Sequence, residues 1–352
     1  MLIPGKYLIY LGEAATPLGA KTGLGLVQWR PDLCVGQWCT GVRSVDLGLP
    51  EMSPAAARAA GASTLVIGVA PSGGAIAPAW IAAIVAAIEA GLDVASGMHT
   101  RLGSVPRIAA AAQRHGRRLF DVRYPARAFD VGSGRRRSGR RLLTVGTDCA
   151  VGKKYTALSI AREMSRRGID ATFRATGQTG ILIAGDGVAI DAVVADFIAG
   201  AAEWLSPDNA ADHWDVIEGQ GSLFHPAYAG VSTGLLHGSQ PDALVVCHDA
   251  TRDTIDEYPD FPIPGLRECI DLNLRMARLT NREVRCIGLS VNTSGLPAGR
   301  RDDYLRDLAA RYSVPCFDPI ATGTAPLVDF LVDLYPQGGT GRAPRPPPAA
   351  TG

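Results

Sequence analysis

Aromatic residues make up only 6% of this 352-residue chain, and neither sign of charge is in excess: 35 Lys and Arg against 34 Asp and Glu give a formal net charge of +1. A balance this close to zero removes the electrostatic case for nucleic acid or a membrane surface as partner. Paired cysteines are missing too. The seven cysteines (Cys34, Cys39, Cys149, Cys247, Cys269, Cys286 and Cys316) stand singly, with no C-x-x-C pair and no clustered histidines beside Cys34 and Cys39. Zinc-finger and disulfide-scaffold readings therefore find no support. Cys247 and Cys286 fall in apolar strand-like runs, where a small buried hydrophobe is expected. No segment reaches about 18 uninterrupted apolar residues, and the apolar stretch near the N-terminus stops at Gly12 and Glu13, too early for a signal-peptide core. The expected setting is the cytoplasm, with no membrane partner.

What is present is a composition, 47% hydrophobic and 20% charged, able to bury sizeable cores. The length suits two domains of about 150 residues each. Residues 131–141, VGSGRRRSGRR, break the apolar pattern, and five arginines in seven residues resist burial together. The segment reads as a flexible basic linker. Before it, residues 1–130 alternate strand-like runs (Lys6–Leu11, Thr64–Val69, Asp93–Ala95) with Ala-rich helical stretches (Pro78–Ala90, Pro106–His115). That order predicts a Rossmann-like parallel sheet. After it, residues 142–336 predict a P-loop NTPase-like α/β domain. Its strands are Arg141–Val145, Ala171–Ala175, Trp214–Glu218, Ala243–His248, Arg285–Val291 and Val314–Phe317; its helices include Lys153–Arg167, Ala189–Leu205, Gly265–Ala277 and Asp302–Tyr312. Near-continuous apolar strands between amphipathic helices mean a parallel sheet covered on both faces. Residues 337–352 form a Pro/Gly-rich tail expected to be disordered.

The first strand of the second half runs straight into Gly146, Thr147, Asp148, Cys149, Ala150, Val151, Gly152, Lys153, Lys154, Tyr155 and Thr156. An apolar strand, a Gly-bounded loop and a helix are the context of a phosphate-binding loop. The glycines let backbone N–H groups turn inward, the helix N-terminus adds partial positive charge, and Lys153 reaches the phosphates. Two departures stand out. Five residues separate the glycines, where the usual loop has four, and Lys154 occupies the place of the Ser or Thr that ordinarily ligates magnesium. A Mg-nucleotide hydrolase is disfavoured; a ligand rich in phosphate, held by two lysines without a metal, is favoured.

Further polar groups fall at the ends of the predicted strands. Glu218 closes Trp214-Asp-Val-Ile-Glu and is followed by Gly219-Gln220-Gly221; His225 lies seven residues past Glu218, and Asp249 follows ALVVCH. Each of Glu218, His225 and Asp249 is a candidate general base. Arg174, Gln178 and Gln220 bring a cation and two amides to the same carboxyl edge, where open α/β sheets bind ligands. Arg174 and Arg101 suit a substrate carboxylate through bidentate pairing.

Together, GTDCAVGKK, ATGQTGI, DVIEGQGSL and the N-terminal Leu11-Gly-Glu-Ala-Ala…Lys21-Thr-Gly-Leu-Gly-Leu26 resemble a two-domain family long of unknown function that includes the bacterial D-glutamate N-acetyltransferases. The resemblance runs from Leu8 to about Leu334. It implies transfer of acetyl from acetyl-CoA to the amino group of D-glutamate, with D-glutamate and acetyl-CoA as small-molecule partners. A metal-free loop with two lysines is apt for the phosphates of coenzyme A. The loop with EGQG is also similar to that of dethiobiotin synthetases, which have a Thr where this chain has Lys154. That similarity implies an ATP-Mg-dependent ligase as the alternative, and a nucleotide-binding regulatory protein is a third reading. A homodimer or higher homo-oligomer is expected for such a soluble enzyme.

Overall fold

The computed structural model describes residues 3–17, 19–41, 45–125 and 127–336; the tail expected to be disordered lies outside them. The chain divides into two compact units. One comprises residues 1–128 and 175–193, the other 129–174 and 194–352.

In the first unit the elements follow in order: β1 (Tyr7–Gly12), α1 (Lys21–Trp29), β2 (Cys34–Cys39), α2 (Pro54–Ala59), β3 (Thr64–Ile67), α3 (Pro78–Glu89), β4 (Asp93–Ser96), α4 (Pro106–His115) and β5 (Leu119–Asp121). The strands form a parallel sheet in the order β2-β1-β3-β4-β5. Proline at the first turn starts α2, α3 and α4, where its missing N–H is no loss, and the Ser53 hydroxyl caps α2 by accepting the Ala56 N–H. Leu8, Tyr10, Leu65, Ile67 and Val94 from the strands pack with Ile84, Ile88 and Ile108 from α3 and α4 into one core. The expected Rossmann-like layer is present.

The second unit begins with β6 (Arg140–Gly146), α5 (Lys153–Arg166) and β7 (Ala171–Arg174). The chain then leaves it. Helix α6 (Gln178–Ala184) is part of the first unit, where the Thr179 hydroxyl meets that of Thr22 at 3.1 Å and the Ile183 carbonyl accepts from Arg30. Back in the second unit follow α7 (Ile198–Leu205), β8 (Trp214–Ile217), α8 (Ala229–Ser239), β9 (Ala243–Asp249), the hairpin β10 (Thr254–Ile255) and β11 (Tyr258–Pro262), α9 (Leu266–Ala277), β12 (Arg285–Asn292), α10 (Arg301–Tyr312), β13 (Cys316–Phe317) and α11 (Ala325–Leu334). Six parallel strands form the sheet β13-β12-β9-β6-β8-β7. The strands that follow β6 lie first on one side of it (β7 and β8) and then on the other (β9, β12 and β13), so the strand order reverses at β6 and β9, the place where such sheets bind ligands.

Two expectations are corrected. The helix predicted over Ala189–Leu205 is a helix only from Ile198: the β-branched pair Val193 and Val194 takes extended backbone, and the chain changes unit there. The basic segment is also not simply solvated. Arg137 and Arg141 are buried, with Arg137 donating to the Gly238 and Ser239 carbonyls and Arg141 to those of Arg137, Ser138 and Gly139. Ser133 and Gly134 both donate their backbone N–H groups to the Glu203 carboxylate.

Candidate phosphate-binding site

The turn from β6 into α5 begins at Gly146, whose Cα sits so close to the neighbouring strand that a Cβ would lie 2.9 Å from the Cys247 carbonyl oxygen. Ala150 and Gly152 take positive φ, 53° and 102°, which curls the loop back so that α5 starts at Lys153. For Gly152 that angle lies beyond what a side chain tolerates easily.

Inside the loop sits its own carboxylate. Asp148 is fully buried; one oxygen accepts the Cys149 N–H at 2.6 Å, the other accepts Arg252 Nη1 and the Asp256 N–H, both at 2.8 Å. Arg252 also donates to the Cys149 carbonyl. The hairpin β10–β11 is thus strapped to the loop through Asp148. Lys153 is buried, and its Nζ donates to the Asp148 carbonyl at 2.6 Å, turned into the loop. Lys154 stands outside it with its ammonium 4.5 Å from the Tyr155 ring centroid. The Tyr155 hydroxyl is raised above its ordinary pKa by burial. Thr147 shares a hydrogen bond with His248 Nδ1, and Val151 is buried. Thr156 is turned to the sheet: its hydroxyl bonds the Gly152 carbonyl at 3.0 Å and Ser290 Oγ at 2.7 Å.

Because β8 is hydrogen-bonded to β6, its end lies beside the loop. Gly219 donates its N–H to Thr144 Oγ1 at 2.9 Å, and a Cβ on Gly219 would fall 1.6 Å from the Thr144 carbonyl oxygen. Glu218, the residue before, is buried. Ser222 Oγ donates to the Thr147 carbonyl, and Ser232 Oγ to that of Gln220. His225 is buried against Tyr228 and Tyr258, and burial holds its pKa below the usual histidine value, the cation of Lys153 adding to this while Asp148 opposes it. One ligand-type atom each from Asp148, Cys149 and His225 lies within 4.8 Å of the others.

Of the sequence candidates, the structure brings the loop, Glu218, Gln220 and His225 to one strand edge. Asp249 follows on the adjacent β9, but one carboxylate oxygen accepts the Thr251 N–H and hydroxyl and the other the Asn292 amide. Arg174 turns back along its strand to a 2.6 Å ion pair with Asp215, which is 1% exposed. Gln178 and Arg101 belong to the first unit. Gln178, with its amide oriented to suit its neighbours, donates to the Gly97 carbonyl at 2.8 Å and accepts from Arg123 at 3.2 Å. Arg101 is exposed and stacked 4.0 Å over the Tyr124 ring. The sequence reading missed Arg252, Asp256, Ser222 and Thr144. Two of them carry a signal in the sequence: Arg252, a cation just past a strand end, and Ser222, inside DVIEGQGSL.

Comparison with known proteins covers nearly the whole chain. Residues 33–125 match the family model described as a DUF1611_N Rossmann-like domain, and residues 130–328 match the one described as a DUF1611_C P-loop domain, both domains of unknown function. A D-glutamate N-acetyltransferase of Tritonibacter scottomollicae is 50% identical over 330 residues, 94% of this chain and 99% of that one. A D-glutamate N-acetyltransferase of a Pseudoalteromonas species is 47% identical over 331 residues, 94% of this chain and 100% of the relative. The crystal structure of a DUF1611 family protein from Anabaena variabilis superposes with a TM-score of 0.85 at 34% identity, covering 94% of this chain and 99% of that one.

Proposed function

Since the chain belongs to the two-domain DUF1611 family, we propose that it is an acetyltransferase that moves acetyl from acetyl-CoA to the amino group of D-glutamate, giving N-acetyl-D-glutamate. The observation that carries this reading is the end-to-end match, at 50% and 47% identity, to two enzymes of that name. The substrate ammonium gives a proton to a base, and its nitrogen attacks the thioester carbonyl. The N–C bond forms, the C–S bond breaks, and the coenzyme leaves as its thiol once the thiolate takes up a proton.

The loop Gly146–Thr156 holds coenzyme A phosphates, with Lys153 swinging from the Asp148 carbonyl to the ligand and Lys154 adding charge from outside. Thr156 supports the loop from behind, since its hydroxyl serves Gly152 and Ser290. Glu218 is the proposed base, because it is buried at the end of β8, the strand hydrogen-bonded to β6, from which the loop springs. An extended pantetheine arm would carry the thioester about 15 Å from the phosphates, so this assignment requires the arm to fold back over the end of β8. Arg101, preorganised on Tyr124 in the first unit, suits a carboxylate of the substrate; Arg174 suits it less, being paired with Asp215. The cytoplasm as setting, a homodimer or higher homo-oligomer as assembly, and turnover without a metal complete the proposal.

Thiol release from acetyl-CoA tests it, with D-glutamate, with L-glutamate and with ATP-Mg in parallel. Release that depends on D-glutamate and persists in chelator is the expected result. ADP or phosphate formed from ATP-Mg without thiol release would put the ligase reading first. Tight nucleotide binding with no turnover of either kind would favour the regulatory one.

A further inference from the structure

His225 lies between β8 and α8 and is 2% exposed. Its ring stacks on Tyr228 with centroids 4.4 Å apart and meets Tyr258 edge-on at 5.1 Å, so its orientation is held from two sides. Nδ1 accepts the backbone N–H of Ala227 at 3.1 Å. A neutral imidazole has one lone pair and one N–H. If Nδ1 is the acceptor, the proton is on Nε2. Burial, the main influence on this ring, lowers its pKa and so favours the neutral form that this hydrogen bond already requires, against the carboxylates of Asp148, Asp256 and Glu257. The residue is almost wholly enclosed, but Nε2 makes no hydrogen bond among the described residues and is not one of the enclosed, partnerless polar atoms, so it is the atom of the ring that a bound group can reach.

That arrangement is wrong for two roles. A general base needs a lone pair facing the proton it takes, and here the lone pair faces Ala227. A metal ligand acting through Nε2 needs the lone pair there and a proton on Nδ1, which the Ala227 N–H would then oppose. The Asp148–Cys149–His225 cluster is ill-suited to a cation for a second reason: Asp148 is already paired with Arg252, and the Lys153 ammonium is bonded to its carbonyl. What the ring does offer is one directed N–H beside a loop shaped for an anion.

We propose that His225 is a fixed hydrogen-bond donor whose Nε2–H bonds an oxygen of the phosphate group held by the loop Gly146–Thr156. This rests on the reading that the loop holds coenzyme A phosphates. A donor without charge adds a bond to the phosphate without further repelling the two lysines and Arg252.

The test compares the full-length protein with His225→Ala, His225→Gln and His225→Asn, using acetyl-CoA and, in parallel, S-acetylpantetheine, which has the same thioester and arm but no phosphate. His225→Ala should raise KM for acetyl-CoA about ten- to a hundredfold, the range for a hydrogen bond to a charged group, with kcat little changed. His225→Gln, whose amide reaches to about the place of Nε2, should recover most of the loss, and His225→Asn should recover less. With S-acetylpantetheine the wild type and His225→Ala should be alike. A fall in kcat with both donors, unrelieved by Gln, would make His225 a proton-transfer group and overturn the proposal. So would wild-type activity lost to a chelator and restored by Zn²⁺. If His225→Ala does not fold, as judged by circular dichroism, the order of Gln over Asn decides; the reverse order overturns the proposal. Lys153→Ala serves as control. An unchanged KM for acetyl-CoA in Lys153→Ala would show that the loop reading itself had failed, and the proposal with it. A raised KM there, with His225→Ala like wild type, would reject His225 alone.

Discussion

At the scale of single residues, the site is governed by how a buried carboxylate is kept neutral overall. Asp148 is enclosed completely and its charge is met by Arg252, itself mostly buried. Removing one member of such a pair leaves the other uncompensated. Arg252→Ala should therefore destabilise the protein by about 3–5 kcal/mol, and adding Asp148→Asn should return part of that loss. Chemical denaturation of the two single variants and the double variant measures the coupling directly; simple additivity would mean that the pair is not coupled. Glu218 poses a different question, because its role depends on where the thioester lies. As the base, Glu218→Gln should lower kcat by about 10²–10⁴ with KM for acetyl-CoA nearly unchanged. A kcat within tenfold of wild type would move the base to the far end of an extended arm.

At the scale of elements, the contact between β6 and the end of β8 leaves no room for a side chain. Gly219→Ala would put a methyl group 1.6 Å from the Thr144 carbonyl oxygen, so the two strand ends must part. A loss of about 3 kcal/mol or more is expected, visible as a lower Tm; an unchanged Tm would show that this strand end is loosely held. Strands β6, β8, β9 and β12 were legible because strands buried on both faces are almost wholly apolar, and the loop was legible because it lies between such a strand and a helix. Helix α6 is not legible, because Gly177-Gln178-Thr179-Gly180 has the composition of a polar strand-end loop and the helix is held by packing within the first unit, against Thr22 and Arg30. Strand β2 went unread because Gly36 and Gln37 interrupt its apolar run. The burial of Arg137 and Arg141 depends on carbonyl groups about a hundred residues away and on local turns, which composition does not show. The ties of Asp249 to Asn292 and of Arg174 to Asp215 are also invisible in composition, because each joins neighbouring strands far apart in sequence.

At the scale of the whole molecule, none of the helices in the described residues is long and apolar enough to cross a membrane. The second unit is closed by a charge network between its first and last helices. Arg166 and then Arg167 hold the Glu163 carboxylate on α5 down to about 2 from an ordinary 4.5, and Arg167 also pairs with Asp329 on α11. A depressed carboxylate pKa adds stability above the unfolded value and loses it as pH falls toward the folded one. The Tm gap between wild type and Glu163→Gln should thus be full at neutral pH and close between about pH 4.5 and pH 2. A gap that did not change over that range would rule out Glu163 as its source. The path of the chain matters at this scale as well. It passes from one unit to the other after residues 128, 174 and 193, so the first unit is built from two separate stretches of sequence. A chimaera that exchanged only residues 1–128 between relatives would pair a foreign sheet with a resident α6, placing an alien partner against Thr22 and Arg30. Recombination at the obvious boundary is therefore penalised, and the two stretches should be inherited together.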